Sequence, residues 1–205
     1  MNLWSDRDER AFLSTMTGGD EGVRPPKEAS WSIRHLHIVD DTHVRVLAEL
    51  LIDCVDGGAS VSFMHPLALD RALNFWRGVA RGVAVGERAL LIAEDAHGVC
   101  GTVQLILAQP DNQPHRADLA KMLVHRRARQ HGIGAALMRA AETTARDCGK
   151  TLLVLDAVTD GDAARLYERL GWERVGVIPG YALMPRGELC DTTVYYRVLA
   201  GGSAD

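Results

Sequence analysis

Arg126, Arg127 and Arg129 crowd a short polar turn that runs into Gly132-Ile133-Gly134. Glycines two apart at the mouth of a helix let a ligand come close to the backbone, because no Cβ stands in the way. The first N–H groups of a helix lack partners within it, and the helix dipole adds partial positive charge there. Arginines beside them supply whole charges. The combination suits a phosphate or pyrophosphate. A glycine-rich turn with solvated arginines is the plainer reading, and the flanking elements decide against it. Asp118 to Val124 is an apolar run with Ala120, Met122 and Val124 on one face of a strand and Leu119, Lys121 and Leu123 on the other. Beyond the turn, Ile133, Leu137 and Ala141 share a helical stripe, with Met138 nearby.

Two familiar phosphate sites do not fit. A P-loop needs GxxxxGK, and no Lys follows Gly134. A dinucleotide fold needs a third glycine and an early place in a βαβ repeat. Neither pattern is present.

The chain around this stretch is 205 residues long, 47% hydrophobic and 24% charged, enough for one good core. A net charge of −4 gives no general reason to expect nucleic acid, and the basic turn is too local to track a duplex. No apolar run approaches the roughly 18 residues of a membrane span, and the N-terminus lacks the apolar core of a signal peptide. Cys54, Cys100, Cys148 and Cys190 are scattered without a CxxC, so reduced thiols in a cytoplasmic protein are expected.

Taken in order, residues 1–29 read as a flexible extension, with Leu3, Trp4, Phe12 and Leu13 able to form a short docking helix. Trp31 to Val39 is a strand with Ile33, His35 and His37 on one face. Two imidazoles two apart can face a metal, but no third ligand is identifiable, and a half-exposed strand face is the better reading. Asp40 or Asp41 caps a helix to about Val55, with Val44, Leu47, Leu51 and Val55 at helical spacing. DGGASVSFM breaks it, and a second helix covers about residues 68–82. Strands follow at about 88–95 and 98–108, joined around His97-Gly98.

After the glycine turn the helix continues to Cys148, where Gly149 stops it. Thr151 to Val158 is almost continuously apolar, as in a buried strand. Asp160 or Asp162 caps a short helix through Leu170, ended by Gly171. Trp172 to Val177 and Thr192 to Leu199 are two closing strands, with 178–191 irregular between them and 201–205 a tail. The expected fold is one α/β (α+β) domain over residues 30–200, with a mixed, mostly antiparallel sheet flanked by helices. The apolar closing strands permit a homodimer.

Arg129-x-x-Gly132-x-Gly134 after a strand ending at Val124 resembles the acyl-CoA pyrophosphate loop of the GNAT N-acetyltransferases. Ala163-Ala164-Arg165-Leu166-Tyr167-Glu168-Arg169-Leu170-Gly171-Trp172 looks like the family's A-x-x-x-Y-x-x-x-G-F segment, with Trp for Phe. The order of elements over about residues 31–199 is the family's order too. DGGASVSFM, HRADLAKMLVHRRARQHGIG and ERVGVIPGYALMPRGELCDTTVYY resemble the tabtoxin-resistance acetyltransferases, which acetylate a small β-lactam amino-acid toxin.

The resemblance implies acetyl-CoA as co-substrate and no metal. The backbone of Met122, Leu123 and Val124 would pair with the pantetheine amides. The N–H groups from Gln130 through His131, Gly132, Ile133, Gly134 and Ala135 would take the pyrophosphate, with Arg129 alongside. Arg126 or Arg127 either binds the adenosine phosphate or is solvated. Tyr167 stands where the family places the acid that protonates the CoA sulfur, and a phenol pKa near 10 is matched to a thiol leaving group.

Two carboxylates are available to hold the acceptor's ammonium and take its proton, directly or through water. Asp118 stands where the tabtoxin-resistance proteins carry a glutamate, and its shorter side chain puts direct contact in doubt. Asp156 lies in an apolar strand, where burial would raise its pKa as suits a base. Ser60, Phe63 and Tyr181 would wall the acceptor side. The expected activity is acetyl transfer to a primary amine of a small molecule, a β-lactam amino-acid toxin or antibiotic being the acceptor the resemblance points to, with resistance as the role. A non-catalytic acyl-CoA sensor and a protein N-acetyltransferase are the competing functions. Transfer is expected to be direct in a ternary complex, because no cysteine lies in a nucleophile constellation.

Overall fold

A computed structural model describes residues 31–199; the N-terminal extension 1–29 and the tail 201–205 lie outside the described residues. The elements run β1 (Trp31–Leu36), α1 (Asp41–Asp56), α2 (Leu69–Ala84), β2 (Arg88–Asp95), β3 (Gly98–Ile106), β4 (Arg116–Val124), α3 (Ile133–Asp147), β5 (Leu152–Val158), α4 (Asp162–Arg169), β6 (Glu173–Leu183) and β7 (Leu189–Val198). One sheet joins all seven strands in the order β1-β2-β3-β4-β5-β7-β6. Only β4 and β5 run parallel. The other neighbours are antiparallel: β2–β3 and β6–β7 are joined by short turns, while α1 and α2 lie between β1 and β2, and α4 and β6 between β5 and β7.

Two apolar clusters sandwich the sheet. Along β2, Ala89, Leu91 and Ala93 point to the α3/α4 side, and Leu90 and Ile92 to the α1/α2 side. The α3 stripe of Ile133, Leu137, Met138 and Ala141 fills the first cluster; Leu47, Leu51 and Val55 of α1 and Trp76 of α2 fill the second. Asp40 is the cap of α1, its carboxylate accepting from the His43 N–H at 2.9 Å. Gly149 follows α3 at φ +71°, a conformation that suits glycine at a helix end.

Strict alternation along β4 fails at one residue. Gln104 of β3 pairs with Ala120 and Thr102 with Leu123, so Lys121 and Met122 together oppose one β3 residue. This is a β-bulge, with Lys121 at φ +51°. It turns the faces over: Ala117 and Leu119 lie in the α3/α4 cluster, Leu123 lies in the α1/α2 cluster, and Met122 and Val124 pack on the α3/α4 side. Leu119 and Leu123 therefore do not share a face. An extra residue shifts a period-2 pattern by one.

Several boundaries move. Strand β1 stops at Leu36, leaving His37 and Ile38 exposed beyond it. The α4 cap is Gly161, without a side-chain cap bond; Asp162 is the first helical residue and pairs with Arg165. Trp172 lies outside β6, its indole donating to Glu142 of α3 at 3.1 Å. Residues 178–191 are not irregular: β6 and β7 form a long hairpin that closes at Leu183 and Leu189. Pro179 sits in a break in the register between Ile178 and Ala182, where a residue without an N–H costs no ladder bond.

Candidate functional site

Strands β4 and β5 stay paired only from Arg116↔Leu152 to Asp118↔Val154. Beyond those three pairs they part, and a cleft of about 910 Å³ opens between them. The β4 backbone from Leu119 to Val124 lines one wall and Asp156 to Val158 the other. The glycine turn closes one end. The α1–α2 loop from Gly57 to Ser62 and Met184 of the β6–β7 turn close the opposite side. The cleft exists because the crossover through α3 brings β5 beside β4, while the bulge at Lys121 bends β4 away.

At the glycine end, the first intrahelical bond of α3 runs from Ala136 N–H to Gly132 O. The N–H groups of Ile133, Gly134 and Ala135 are thus left without intrahelical acceptors. Gly132 caps the helix at φ +80°, a conformation that strains any residue with a Cβ. A Cβ at Gly134 would stand 3.1 Å from Leu166 Cδ2, so α3 and α4 pack closely here and Leu166 would have to give by a few tenths of an ångström. Unpaired donors, the α3 dipole and an open backbone edge on β4 together fit a pyrophosphate carrying an extended amide-bearing arm.

The residues expected at this end divide. Gln130, Gly132, Ile133, Gly134, Ala135 and Arg129 line the cleft, as do Met122, Leu123 and Val124. His131 does not; it is exposed, and its carbonyl accepts from the Trp31 indole at 3.2 Å. Arg129 Nε donates to Val124 O at 3.2 Å, so that carbonyl already has a partner. Arg126 and Arg127 are committed elsewhere, to Asp53 and Asp95 respectively. Arg139 is a cleft cation that the sequence reading missed. It lines the cleft one α3 turn beyond Ala135, and the i, i+4 spacing from Ala135 was the available signal.

Asp53, near the end of α1, holds the basic turn in place. Its carboxylate accepts from the Arg126 N–H at 3.0 Å and from Arg126 Nε at 2.8 Å, with His125 Nδ1 at 3.6 Å. Gly57 leaves room for the arginine, since a Cβ there would meet Arg126 Cδ at 3.0 Å. Burial pushes the Asp53 carboxyl up, but the Arg126 bonds and the His125 and Arg126 charges outweigh it, and the net shift is downward. A carboxyl lowered by folding stabilises fully above its unfolded value and loses that contribution as pH falls through the folded one. Asp53→Asn should therefore lower Tm at pH 7, with the deficit shrinking toward pH 3 in parallel melts. A deficit that does not change with pH would remove the ion-pair account.

The expected catalytic residues also separate. Tyr167 lines the cleft from α4, only 5% exposed, with Trp172 and Tyr195 rings at 6.0 and 5.9 Å. Burial, then the charge of Asp156 and the Tyr195 ring's hydroxyl, push its phenol well above the ordinary value. Asp156 also lines the cleft, from β5, but is solvent-exposed, because helices cover only the other side of β5 here. The expectation of a desolvated Asp156 is thus not met. Alternation on β5 buries Leu153 and Leu155 and turns Asp156 outward.

Asp118 is not in the cleft lining. It stands at the last β4/β5 pair, ion-paired with Arg116 and accepting from Gln109 Nε2 at 3.1 Å. Cys54 does line the cleft, and burial pushes its thiol up to about 11 although Arg129 opposes this, so it is a poor nucleophile.

On the acceptor side, Ser60 lines the cleft but its hydroxyl donates to Leu183 O at 2.9 Å. Together with His65 N–H to Pro185 O at 2.8 Å, this staples the α1–α2 loop to the β6–β7 turn. Phe63 is packed edge-on against Phe75 at 5.3 Å and does not line the cleft. Tyr181 is 59% exposed on the outer strand, also away from it. Lys121, placed there by the bulge, is a cleft residue the alternation reading hid. Among the described residues, no group of three or more His, Cys, Asp or Glu forms a metal cluster, and no helix is long and apolar enough to cross a membrane.

Residues 86–174 match the family model described as the acetyltransferase (GNAT) domain. The chain is 31% identical over 112 residues to an uncharacterized N-acetyltransferase in the hisH-hisA intergenic region of Azospirillum brasilense. That match covers 54% of this chain and 65% of the relative, somewhat under two thirds of its length. The fold is shared with yncA from Salmonella typhimurium, solved with its cofactor acetyl-CoA, at a TM-score of 0.69 and 20% identity over 85% of this chain and 97% of that one. A GCN5-related N-acetyltransferase from Kribbella flavida superposes at 0.68 with 22% identity, over 83% and 98%. The described residues thus form a single GNAT-like α/β domain.

Proposed function

We propose that this GNAT-like domain transfers an acetyl group from acetyl-CoA to a primary amine of a small molecule, directly within a ternary complex. One observation carries the reading: a parted β4/β5 cleft with free α3 N–H groups at one end and both Asp156 and Tyr167 in its lining. Acetyl-CoA, when bound, supplies the activated thioester. The N–H groups of Ile133, Gly134 and Ala135 would hold its pyrophosphate, with Arg129 and Arg139 beside them. The β4 edge from Met122 to Val124 would receive the pantetheine arm.

Asp156 attracts the acceptor's ammonium and takes its proton, directly or through water, freeing the nitrogen lone pair. A C–N bond forms as the C–S bond breaks, and Tyr167 gives a proton to the departing sulfur. The raised phenol pKa keeps that proton available at neutral pH. The inert environment of Cys54 favours direct transfer over an acyl-enzyme. The stapled loop and turn leave a bounded acceptor side, which favours a small amine over a protein tail. The likeness of DGGASVSFM to the tabtoxin-resistance proteins extends the reading to a β-lactam amino-acid toxin or antibiotic, and to a resistance role.

The test is CoA release across β-lactam amino acids, aminoglycosides and polyamines, with acetyl-CoA binding followed by calorimetry. Turnover with a small amine is expected. Binding without turnover on any of them would favour an acyl-CoA sensor, and no binding would sink the reading.

A further inference from the structure

Lys121 is an amine-bearing cation in the acceptor half of the cleft that the proposed chemistry does not use. The β4 bulge aims it there: at φ +51° it adopts a backbone conformation uncommon for a residue with a Cβ. Its Nζ donates to Ser62 Oγ at 3.1 Å and lies 5.6 Å from the centre of the Phe75 ring. Ser62 is itself at φ +73°, so both ends of this contact sit in strained backbone. No carboxylate among the described residues is within ion-pair distance of Nζ, whereas Arg116, Arg88 and Arg127 are held by Asp118, Gln104 and Asp95 respectively. An ammonium makes up to three hydrogen bonds, and only one is made here.

The charges facing Lys121 are Asp156, which attracts it, and Arg88, which repels it. Burial is the largest influence on the ammonium and disfavours its charge. A half-buried cation without a counter-ion, over an aromatic face and open to a cleft, is an unfinished anion site. The free α3 N–H groups form a separate anion site at the glycine end of the cleft. Lys121 instead sits against Ser62 of the α1–α2 loop, on the acceptor side, where an anion would arrive with the acceptor.

We propose that Lys121 determines acceptor specificity by binding an anionic group, a carboxylate, carried near the amine that Asp156 receives. One wall then presents a cation and the other an anion, an arrangement complementary to a zwitterion. Ser62 positions the ammonium, and the Phe75 face lets its charge be desolvated at reduced cost. Polyamines and aminoglycosides, which bring more positive charge, meet repulsion from Lys121 and Arg88. This inference rests on the acetyltransferase reading above.

The experiment compares matched pairs of acceptors, α- and β-amino acids against the same compounds as carboxamides, in saturating acetyl-CoA. Wild-type protein should prefer the carboxylate form in kcat/KM by about tenfold or more, the range of a charge-assisted hydrogen bond. Lys121→Met keeps the stem and should raise KM for the carboxylate acceptors at least about tenfold, abolishing the preference. It should leave the carboxamide kinetics and the Kd for acetyl-CoA unchanged. Lys121→Arg should restore part of the preference, which a merely structural role would not predict.

Equal losses on both acceptor forms, or a wild-type preference for carboxamides or polyamines, would overturn the inference while leaving acetyl transfer standing. A weakened acetyl-CoA affinity in Lys121→Met would also overturn it, by placing the lysine on the cofactor side. Absence of acetyl-CoA binding to wild-type protein would instead overturn the acetyltransferase reading, and this inference with it.

Discussion

Tyr167→Phe lowers kcat by about 10²-fold or more and leaves the Kd for acetyl-CoA within a few-fold, if the phenol is the acid that serves the departing sulfur. The substitution removes one oxygen from a ring packed between Trp172 and Tyr195, so the core should tolerate it. The pH profile sharpens the test. Burial first, then Asp156 and Tyr195, raise the phenol above its ordinary value of about 10. A raised acid keeps its proton until the pH passes the raised value, so Tyr167 contributes no alkaline decline in kcat below about pH 10. Full turnover in Tyr167→Phe would end the assignment. So would a decline near pH 8 that disappears in the variant.

The second large effect is expected at Asp156. Asp156→Asn should reduce kcat by about 10² to 10⁴-fold, the usual range for a positioned base, with little change in acetyl-CoA affinity. The contrast is Asp118→Asn. Asp118 is bound to Arg116 and Gln109 at the last β4/β5 pair, outside the cleft, so its loss should lower Tm and leave kcat within a few-fold. If the two variants exchange these patterns, the base is Asp118 and Asp156 serves the fold. Asp156→Asn also removes the charge that favours the Lys121 ammonium, so acceptor KM should rise with the loss in kcat.

What could be read from the chain, and what could not, follows from how local each signal is. The helices α1, α2 and α3 were legible because their apolar spacing and the α1 cap lie within one or two turns of sequence. The glycine end of the cleft was legible for the same reason, since Arg129 through Ala135 are contiguous. The bulge was not. Nothing in AKMLV marks Lys121 for a left-handed conformation, and a strict two-residue period puts Leu119 and Leu123 on one face.

The hairpin of β6 and β7 was also hidden. Its outer strand is largely exposed, broken twice in register, and carries Pro179 and Gly180, which read as a loop. The acceptor side suffered most, because its walls come from segments about 120 residues apart. Ser60 is tied to Leu183 by a hydrogen bond that no local pattern encodes, and Phe63 and Tyr181 proved to face elsewhere. Asp156 lines the cleft, but its surroundings were misjudged: an apolar strand at the end of a cleft has only one covered face.

The three-pair seam between β4 and β5 has a consequence for how the molecule unfolds. Strands β1 to β4 with α1 to α3 form one block, and β5 to β7 with α4 another, and the ladder between them is only Arg116–Asp118 against Leu152–Val154. With so short a ladder, the coupling between the two blocks rests on side chains, the shared α3/α4 cluster with Trp172 on Glu142, and on the staples from the α1–α2 loop. A ligand lying along the β4 edge would act as a substitute strand and join them. Native-state hydrogen exchange should then resolve two opening free energies in the ligand-free protein, the β5–β7 amides exchanging first, and acetyl-CoA should merge them into one.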